Sequence, residues 1–275
     1  MDSETITIRK LSPVVGAEIG GVDLSRPLDP GTFQAVHQAL MENLVIFFRD
    51  QTLSHEQHKA LGRQFGELHI HPASPPPPGH PEILIIHADA NSKRVSGEMW
   101  HSDVSCDAEP PMGSLLYLHT VPEVGGDTMF ANMYRAFEAL SAPLQAMLCQ
   151  FTAIHDGETA YRERYGRGDA ARVFPRAEHP VVRTHPVTGR QALFVNCHFT
   201  NRIVQLRKEE SDALLAYLFR HIETPEFSCR FQWRPHSLAF WDNRAAQHHA
   251  LWDYFPQTRH GYRVTVKGDR PFYGA

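Results

Sequence analysis

The chain has 275 residues, of which 42% are hydrophobic, and its formal net charge is −4 at pH 7. This length and composition suffice for a sizeable core, while the mild charge and the lack of a Lys/Arg run predict no nucleic-acid partner. No apolar run approaches the roughly 18 residues that a membrane helix needs, so we expect no membrane partner. Four scattered cysteines without a Cys-x-x-Cys motif are typical of reduced thiols and predict a cytoplasmic protein.

In the first third of the chain, short alternating or apolar runs predict strands, and two capped runs at helical spacing predict helices. The strands are predicted at 5–9, 14–19, 44–48 and 83–86, and the helices from Asp29 to about Glu42 and from Leu53 to about Phe65. Ser54-x-x-Gln57 fits a capping box at the start of the second helix. The proline run Pro75 to Pro78 and the polar segment Asn91 to Met99 predict loops, the second of which is a candidate substrate lid.

The remaining two thirds continue the pattern of short strands. Strands are predicted at 113–119, 125–130, 181–185, 191–195, 227–233, 237–241 and 261–267, and helices at 133–140, 143–150 and 211–221. Residues 155–180 are polar and rich in Gly and Arg, which predicts a long excursion. Many short strands with flanking helices indicate a mainly β fold, a β-sandwich decorated by helices. No repeat or linker divides the chain, so we expect a single domain over residues 1–275.

Three His-x-acid pairs are candidates for a metal site. They are His87/Asp89, His101/Asp103 and His221/Glu223. In an extended strand, residues i and i+2 point to the same face, so both members of such a pair can contact one ion. A distant histidine such as His248 would complete a 2-His-1-carboxylate set, which leaves coordination positions open for substrates. The spacing alone does not choose among the three pairs.

Arg259 and Arg263 are predicted to share one face of the last strand, because they are four residues apart. Val264 and Val266 fall on the other face, toward a core. A strand that buries two arginines needs anions to meet them, since an unpaired buried charge is very costly. Those anions are either protein carboxylates or small molecules whose carboxylate or sulfonate accepts two hydrogen bonds from the planar guanidinium.

Several spaced motifs, in this order, resemble the Fe(II)/2-oxoglutarate dioxygenases of the TauD/TfdA family. They are Trp100-His101-Ser102-Asp103, Pro122-Glu123-Val124-Gly125-Gly126-Asp127-Thr128, Trp241-Asp242-Asn243-Arg244 with His248, and Arg259 with Arg263. The resemblance runs from about Ile6 to Tyr273 and selects the pair His101/Asp103. It implies a double-stranded β-helix, or jelly roll, with Fe(II) and 2-oxoglutarate as cofactors.

Site residues carried over by the resemblance fall into three groups. His101, Asp103 and His248 match the iron ligands, Thr128 and Arg259 match the pair that holds the distal carboxylate of 2-oxoglutarate, and Arg263 matches the arginine for the substrate anion. The expected substrate pocket also includes His71, Phe199, Ser74, Gly97 and Val104. Ser74 and Gly97 stand where taurine enzymes have Tyr and Asn, which predicts a wider pocket that favours a larger or less polar anion than taurine.

The activity implied by the resemblance is hydroxylation of a small anionic substrate next to a heteroatom. With O2 as co-substrate, the products are succinate, CO2, an aldehyde and the freed anion of a sulfonate or sulfate ester. An aryloxyalkanoate or other carboxylate oxygenase of the same family is the alternative, and a jelly-roll protein that binds a metal or anion without turnover is another. The resemblance also implies a homo-oligomer, a dimer or tetramer.

Overall fold

The computed structural model describes residues 5–165, 169 and 171–274, apart from the side chains of residues 163 and 164. Its helices are α1 (Pro30–Asn43), α2 (His55–Phe65), α3 (Met133–Glu138), α4 (Ala142–Leu148), α5 (Gly157–Tyr165) and α6 (Lys208–Ile222), with a 3-10 helix at Pro225–Phe227. Its strands are β1 (Thr7–Lys10), β2 (Ala17–Gly20), β3 (Val45–Phe48), β4 (Ile83–Ala88), β5 (Gly113–Thr120), β6 (Thr128–Asn132), β7 (Thr152–Asp156), β8 (Arg176–Pro180), β9 (Val182–Thr184), β10 (Gln191–Leu193), β11 (Thr200–Ile203), β12 (Ser228–Phe231), β13 (Ser237–Asp242), β14 (Ala246–Ala250) and β15 (Arg259–Val266). The ends of the predicted domain, residues 1–4 and 275, lie outside the described residues.

Seven strands form the major sheet, in the order β1-β2-β3-β13-β5-β15-β4. Strand β3 explains why this sheet is buried on both faces. Its side chains alternate, so that Val45 and Phe47 enter one core while Ile46 and Phe48 enter the other. A continuous apolar run is what a strand covered on both sides requires, as the sequence predicts here.

The minor sheet, β12-β6-β14, packs over the inner face of the major sheet. The ring of Phe47 stacks on Phe231 with centroids 3.8 Å apart and meets Phe130 edge-on at 5.5 Å. Leu40 of α1 and Leu61 of α2 cover the outer face. The result is a sandwich of facing, unclosed sheets with helices on the outside, which agrees with the predicted mainly β fold.

Helix ends follow their sequence signals. Ser54 Oγ accepts a hydrogen bond from the Gln57 backbone N–H, and the Gln57 side chain accepts one from the Ser54 N–H, so the predicted capping box is confirmed. Asp29 accepts hydrogen bonds from the N–H groups of Gly31 and Thr32 at the start of α1. Among the described residues, none of these helices combines the length and apolar character needed to cross a bilayer.

The polar excursion expected at 155–180 contains regular structure. Strand β7 pairs with both β8 and β11 in a three-stranded sheet, and α5 follows β7 directly. The hydrophobic pattern misses these strands because histidines occupy inward positions: His155 and His179 are buried, and the His155 ring stacks on Phe194. Residues 166–168 and 170 of the excursion lie outside the described part of the chain.

Candidate active site

His101 and His248 are brought together by their backbones. The His101 N–H donates to the His248 carbonyl at 3.1 Å, and the His248 N–H donates to the His101 carbonyl at 2.9 Å. Strand β14, which carries His248, is fixed in turn by β6, where His248 faces Phe130. The two imidazole centroids lie 4.1 Å apart. The distant histidine therefore folds back beside the His-x-Asp pair, as expected.

Asp103 reaches the histidines by a different local route from the one predicted. His101 forms an isolated bridge, and Asp103 lies in the turn that follows rather than on the same strand. Val104 completes this turn with a φ of 47°. Because the chain turns here, the Asp103 carboxylate is folded back toward the imidazoles, and the strand alternation assumed from sequence is wrong at this point.

The three side chains form the candidate metal group found among the described residues, with ligand atoms within 4.8 Å of one another. Asp103 Oδ1 lies 3.6 Å from His101 Nε2 and 4.0 Å from His248 Nε2. The His101 Nδ1–H donates to the Met99 carbonyl at 2.7 Å, which leaves the Nε2 lone pair toward the carboxylate. All three residues are buried, so this donor set fits one Fe(II) ion.

A short hydrogen-bond chain orients Asp103. The Ser114 hydroxyl donates to Asp103 Oδ2 at 2.7 Å, and the Asn243 amide donates to Ser114 Oγ at 3.0 Å. Asn243 Oδ1 accepts from the Trp241 indole and from the Asp103 backbone N–H. Ser114 holds Oδ2, and Oδ1 is the carboxylate oxygen that faces the imidazoles. No local sequence signal marks Ser114, and only the Trp241-Asp242-Asn243-Arg244 motif points to Asn243.

Arg263 lies against the carboxylate of Asp103. Its Nη1 donates to Asp103 Oδ1, and its Nε is buried without a hydrogen-bond partner. Burial by itself would raise the pKa of the Asp103 carboxyl, but Arg263, His248 and His101 together hold that pKa well below its usual range. The carboxylate is therefore ionised, as a metal ligand must be.

Arg259 is a buried cation without an anion. Among the described residues no carboxylate lies within ion-pair distance of its guanidinium, although the side chain is only 5% exposed. Burial lowers the pKa of Arg259 to about 10, so the side chain still carries its charge at pH 7. The Trp233 ring centroid lies 5.5 Å from the guanidinium. An unpaired buried charge of this kind indicates that the anion comes from a bound molecule.

Thr128 is placed to assist Arg259. Its hydroxyl oxygen accepts from Arg259 Nη2 at 3.3 Å and from the Trp233 indole at 3.0 Å. Both acceptor positions of the oxygen are then used, so the Thr128 O–H is left to donate. A carboxylate beside Arg259 would accept that hydrogen bond. The pair therefore suits the far carboxylate of 2-oxoglutarate.

Two cavities meet at these residues. The smaller, of about 50 Å³, is lined by Thr128, Arg259, His248 and others. The larger, of about 220 Å³, borders His101 and Asp103. Both cavities are lined in addition by Gly97, His101 and Arg263. One space is thus suited to a keto acid and the other to a substrate, and both border the metal ligands.

Most of the predicted substrate residues line the larger cavity: His71, Gly97, Val104, Phe199 and Arg263. Ser74 does not. It lies on a neighbouring depression, and its backbone N–H donates to His71 Nδ1 at 2.9 Å, so it acts on the cavity only through His71. Local geometry explains the difference, because the turn after His71 sends Ala73, not Ser74, into the aromatic cluster beside Phe199.

Helix α5 forms one wall of the larger cavity, which the sequence patterns do not predict. Thr159, Ala160, Tyr161 and Tyr165 line the larger cavity. The Tyr161 ring packs edge-on against both His71 and Phe199, with centroids 5.4 and 5.6 Å away. Burial raises the pKa of Tyr161 well above its ordinary value, so its hydroxyl stays protonated. The aromatic pair at i and i+4 was the available signal, hidden inside the polar excursion.

Gly97 has a physical role beyond widening the pocket. Its φ is 81°, and a Cβ at this position would lie 3.1 Å from His101 Cε1. Its carbonyl accepts the Ala250 N–H at 2.8 Å, which ties the loop of residues 91–99 to β14. Glycine therefore favours both this backbone conformation and the close approach of the loop to the ligand histidine.

Comparisons with known proteins agree with this geometry. Residues 7–265 match the model of the family described as "Taurine catabolism dioxygenase TauD, TfdA family". The chain is 36% identical to an alpha-ketoglutarate-dependent sulfate ester dioxygenase of Pseudomonas putida, over 94% of this chain and 88% of that protein. It is 34% identical to an alpha-ketoglutarate-dependent sulfonate dioxygenase of Saccharomyces cerevisiae (strain ATCC 204508 / S288c), over 97% of this chain and 68% of that protein.

Among solved structures, a taurine dioxygenase from Burkholderia xenovorans aligns with a TM-score of 0.86 and 40% identity, over 98% of this chain and 91% of that one. The predicted jelly-roll fold is thereby confirmed. The matched family, the buried His101, Asp103 and His248 trio and the unpaired Arg259 all agree on the same chemistry. This chain belongs to the TauD/TfdA family, and it is a 2-oxoglutarate-dependent dioxygenase that uses Fe(II) and 2-oxoglutarate.

Proposed function

We propose that the chain oxidises a small organic sulfonate or sulfate ester at the carbon that bears the sulfur-containing group. The observation that carries the proposal is the pair of buried guanidiniums on one face of β15. No carboxylate of the described residues pairs with Arg259, and Arg263 lies at the metal ligands and borders the larger cavity. Two cations in two adjoining cavities suit two anions, the keto acid and the substrate.

The metal ligands are His101, Asp103 and His248, and Fe(II) bound there supplies the redox chemistry with O2. Thr128 and Arg259 would hold the far carboxylate of 2-oxoglutarate and so fix its position relative to His101, Asp103 and His248. The position of Arg259 relative to the three metal ligands therefore sets the orientation of the cosubstrate. Positioning of this kind is the main contribution that protein side chains make to such a reaction.

The substrate anion binds at Arg263, through N–H groups not used by Asp103. Its carbon chain extends along Val104, Phe199 and Tyr161, whose apolar surfaces exclude water from the reacting carbon. For a sulfate ester the balance is R–CH2–O–SO3⁻ plus O2 and 2-oxoglutarate, giving R–CHO, bisulfate, succinate and CO2. For a sulfonate the released anion is bisulfite.

A substrate panel scored by succinate release tests the proposal. It compares alkyl sulfates, alkyl- and arylsulfonates, taurine, and aryloxyalkanoates of matched chain length. We expect alkyl sulfates or alkylsulfonates without an amino group to give the highest kcat/KM, because an arylsulfonate has no C–H bond at the carbon that bears sulfur. A clear preference for the aryloxyalkanoates would favour the carboxylate oxygenase, and no coupled turnover with any anion would favour a binding protein.

The Arg263→Ala variant gives the panel its control. We expect KM for the best substrate to rise at least about tenfold, since a charge-assisted pair is lost, while slow substrate-free succinate formation persists. Binding of 2-oxoglutarate should change little. If instead this variant fails to bind 2-oxoglutarate, the roles given to Arg263 and Arg259 are exchanged.

We make three further proposals, on the domain organisation, the cellular location and the oligomeric state of the protein. We propose that residues 1–275 fold as one domain, supported by two core clusters that share the major sheet. We also propose a cytoplasmic protein and a homo-oligomer, a dimer or tetramer, that engages neither nucleic acid nor membrane. Light scattering coupled to gel filtration tests the oligomer, and a cooperative single unfolding transition tests the domain.

A further inference from the structure

A second group of histidines lies on the outer face of the major sheet. Strand β15 alternates, so His260 points away from the inner face that carries Arg259. On β4, His87 is the direct antiparallel partner of His260, and it is exposed. His119 of β5 adds a third imidazole, with its ring centroid 4.9 Å from that of His260. Three neighbouring strands therefore bring imidazoles to one patch.

The His87 and His260 rings approach each other through the same ring nitrogen. Their Nδ1 atoms lie 3.1 Å apart. Bonds from imidazole nitrogen to a first-row metal ion are about 2.0–2.1 Å long. Two nitrogens at the observed separation can therefore bind one ion at close to a right angle, which is the angle of octahedral and tetragonal coordination. Cu(II) and Ni(II) prefer that geometry with nitrogen and oxygen ligands.

The other ring nitrogens have their own neighbours. His87 Nε2 lies 3.5 Å from Asp89 Oδ2, and His260 Nε2 lies 3.4 Å from the Tyr262 hydroxyl. A carboxylate that accepts the Nε2–H of a histidine leaves its Nδ1 as a lone pair, which is the usual arrangement behind a metal-binding imidazole. If the Nδ1 of His260 also carries a lone pair, the two lone pairs repel each other at this distance unless a cation or a proton lies between them.

We propose that His87 and His260 form a second cation site, which binds a divalent first-row transition metal of the Cu(II) or Ni(II) type, with Asp89 orienting His87. The proposal gives a use to His87-Ala88-Asp89, whose spacing equals that of the pair in the active site. Here His87 is the ligand and Asp89 acts through it as a positioning residue. Burial, His119 and His87 lower the pKa of His260, so its imidazole is neutral at pH 7, as ligation requires.

Calorimetric titration with Ni(II) alone, at pH 7.5 and without 2-oxoglutarate, tests this site in the full chain. We expect two equivalents for the wild type, one of which is lost in His87→Ala and in His260→Ala. Asp89→Asn should weaken the same equivalent by about 10–100-fold, as for other residues that orient a ligand. The matched control is His37→Ala on α1, whose electrostatic neighbours are Arg244, Asp242 and His185, and it should keep both equivalents.

Two further readouts keep the result decisive. Oxygenase turnover should be unchanged in His87→Ala, which verifies that this variant is folded; if it is not, His260→Ala and Asp89→Asn give the answer. The His101→Ala variant should lose the other equivalent only. A wild type that binds one equivalent, unaffected by His87→Ala, would mean that a proton joins the two rings, and the proposal would be wrong. Two equivalents that persist in both histidine variants would also overturn it.

Discussion

Ser114 donates its hydroxyl hydrogen to Asp103 Oδ2 at 2.7 Å, so the metal-binding carboxylate is oriented by a strand of the major sheet. Strand β5 carries Ser114 in the middle of the sheet, where it is fully buried. Asp103 itself lies in a turn, and this contact ties its side chain to the core of the sheet. The turn provides the approach to His101, and the sheet provides the direction of the carboxylate.

We therefore expect Ser114→Ala to weaken Fe(II) binding by about 10–100-fold while the fold persists. The reason is that Asp103 loses the partner that holds Oδ2 away from the metal position. Metal affinity measured anaerobically by competition with a chelator checks this. The matched control is Ser54→Ala, which removes the cap of α2 and should cost about 1 kcal/mol of stability with no change in metal affinity. Equal metal affinity in Ser114→Ala and wild type would remove Ser114 from this role.

The second prediction separates Thr128 from Arg259. Thr128→Val keeps the shape but removes the hydroxyl that donates to the carboxylate, so 2-oxoglutarate should bind about tenfold more weakly. Arg259→Met removes the charge as well, and the loss should be at least about 100-fold. Binding of 2-oxoglutarate to the Mn(II)-loaded protein, followed by calorimetry, gives both numbers. Equal losses in the two variants would contradict the assignment of the charge to Arg259.

Gly97 and Gly189 form a matched pair for the third prediction. Both have a positive φ, 81° and 69°, but a Cβ on Gly97 would press on His101 while one on Gly189 meets nothing within 4 Å. Each Gly→Ala change should cost about 1 kcal/mol of unfolding free energy through backbone strain. Only Gly97→Ala should also reduce metal affinity. Parallel losses of metal affinity in both variants would mean that the effect is general destabilisation.

The fourth prediction concerns acid stability and His58. This histidine is fully buried, its Nε2–H donates to the Leu115 carbonyl at 3.0 Å, and burial lowers its pKa to about 4 from 6.5. The His58 side chain therefore binds a proton below about pH 6.5 in the unfolded chain but only below about pH 4 in the folded chain. As the pH is lowered across that window, the free energy of unfolding should decrease by about 3 kcal/mol because of this residue.

Denaturant unfolding of wild type and His58→Gln between pH 7 and pH 4 measures that contribution. The glutamine keeps a donor for Leu115 but does not titrate, so the variant should lose stability less steeply on acidification. His179, whose pKa burial also lowers to about 4, accounts for part of the slope that remains. Parallel pH profiles for the two proteins would contradict the role given to His58.

The sequence predicts those parts of the fold that rest on apolar periodicity. The run at 44–48 becomes β3, the run at 237–241 becomes most of β13, and the capped segment after Ser54 becomes α2. The last strand buries Arg259 and Arg263 on one face, which two-residue alternation predicts. These patterns survive because each strand or helix must bury its own apolar side chains.

The features that the sequence did not predict depend on contacts between distant residues. Ser114 and Asn243 carry no local signal for a role beside Asp103, because their partners are 11 and 140 residues away in the chain. The turn at Asp103 replaces a strand because His101 forms only an isolated bridge with β14. Helix α5 was hidden because polar and histidine residues surround it, although Tyr161 faces the substrate cavity.

The most direct test of the central claim is the visible spectrum of the protein with Fe(II) and 2-oxoglutarate under anaerobic conditions. If His101, Asp103 and His248 hold one iron and leave room for the keto acid, the mixture should develop a weak charge-transfer band. The band should require both additions and be absent in His248→Ala. A wild-type protein that binds both molecules yet gives no band would contradict direct chelation of the iron, and with it the account of this site.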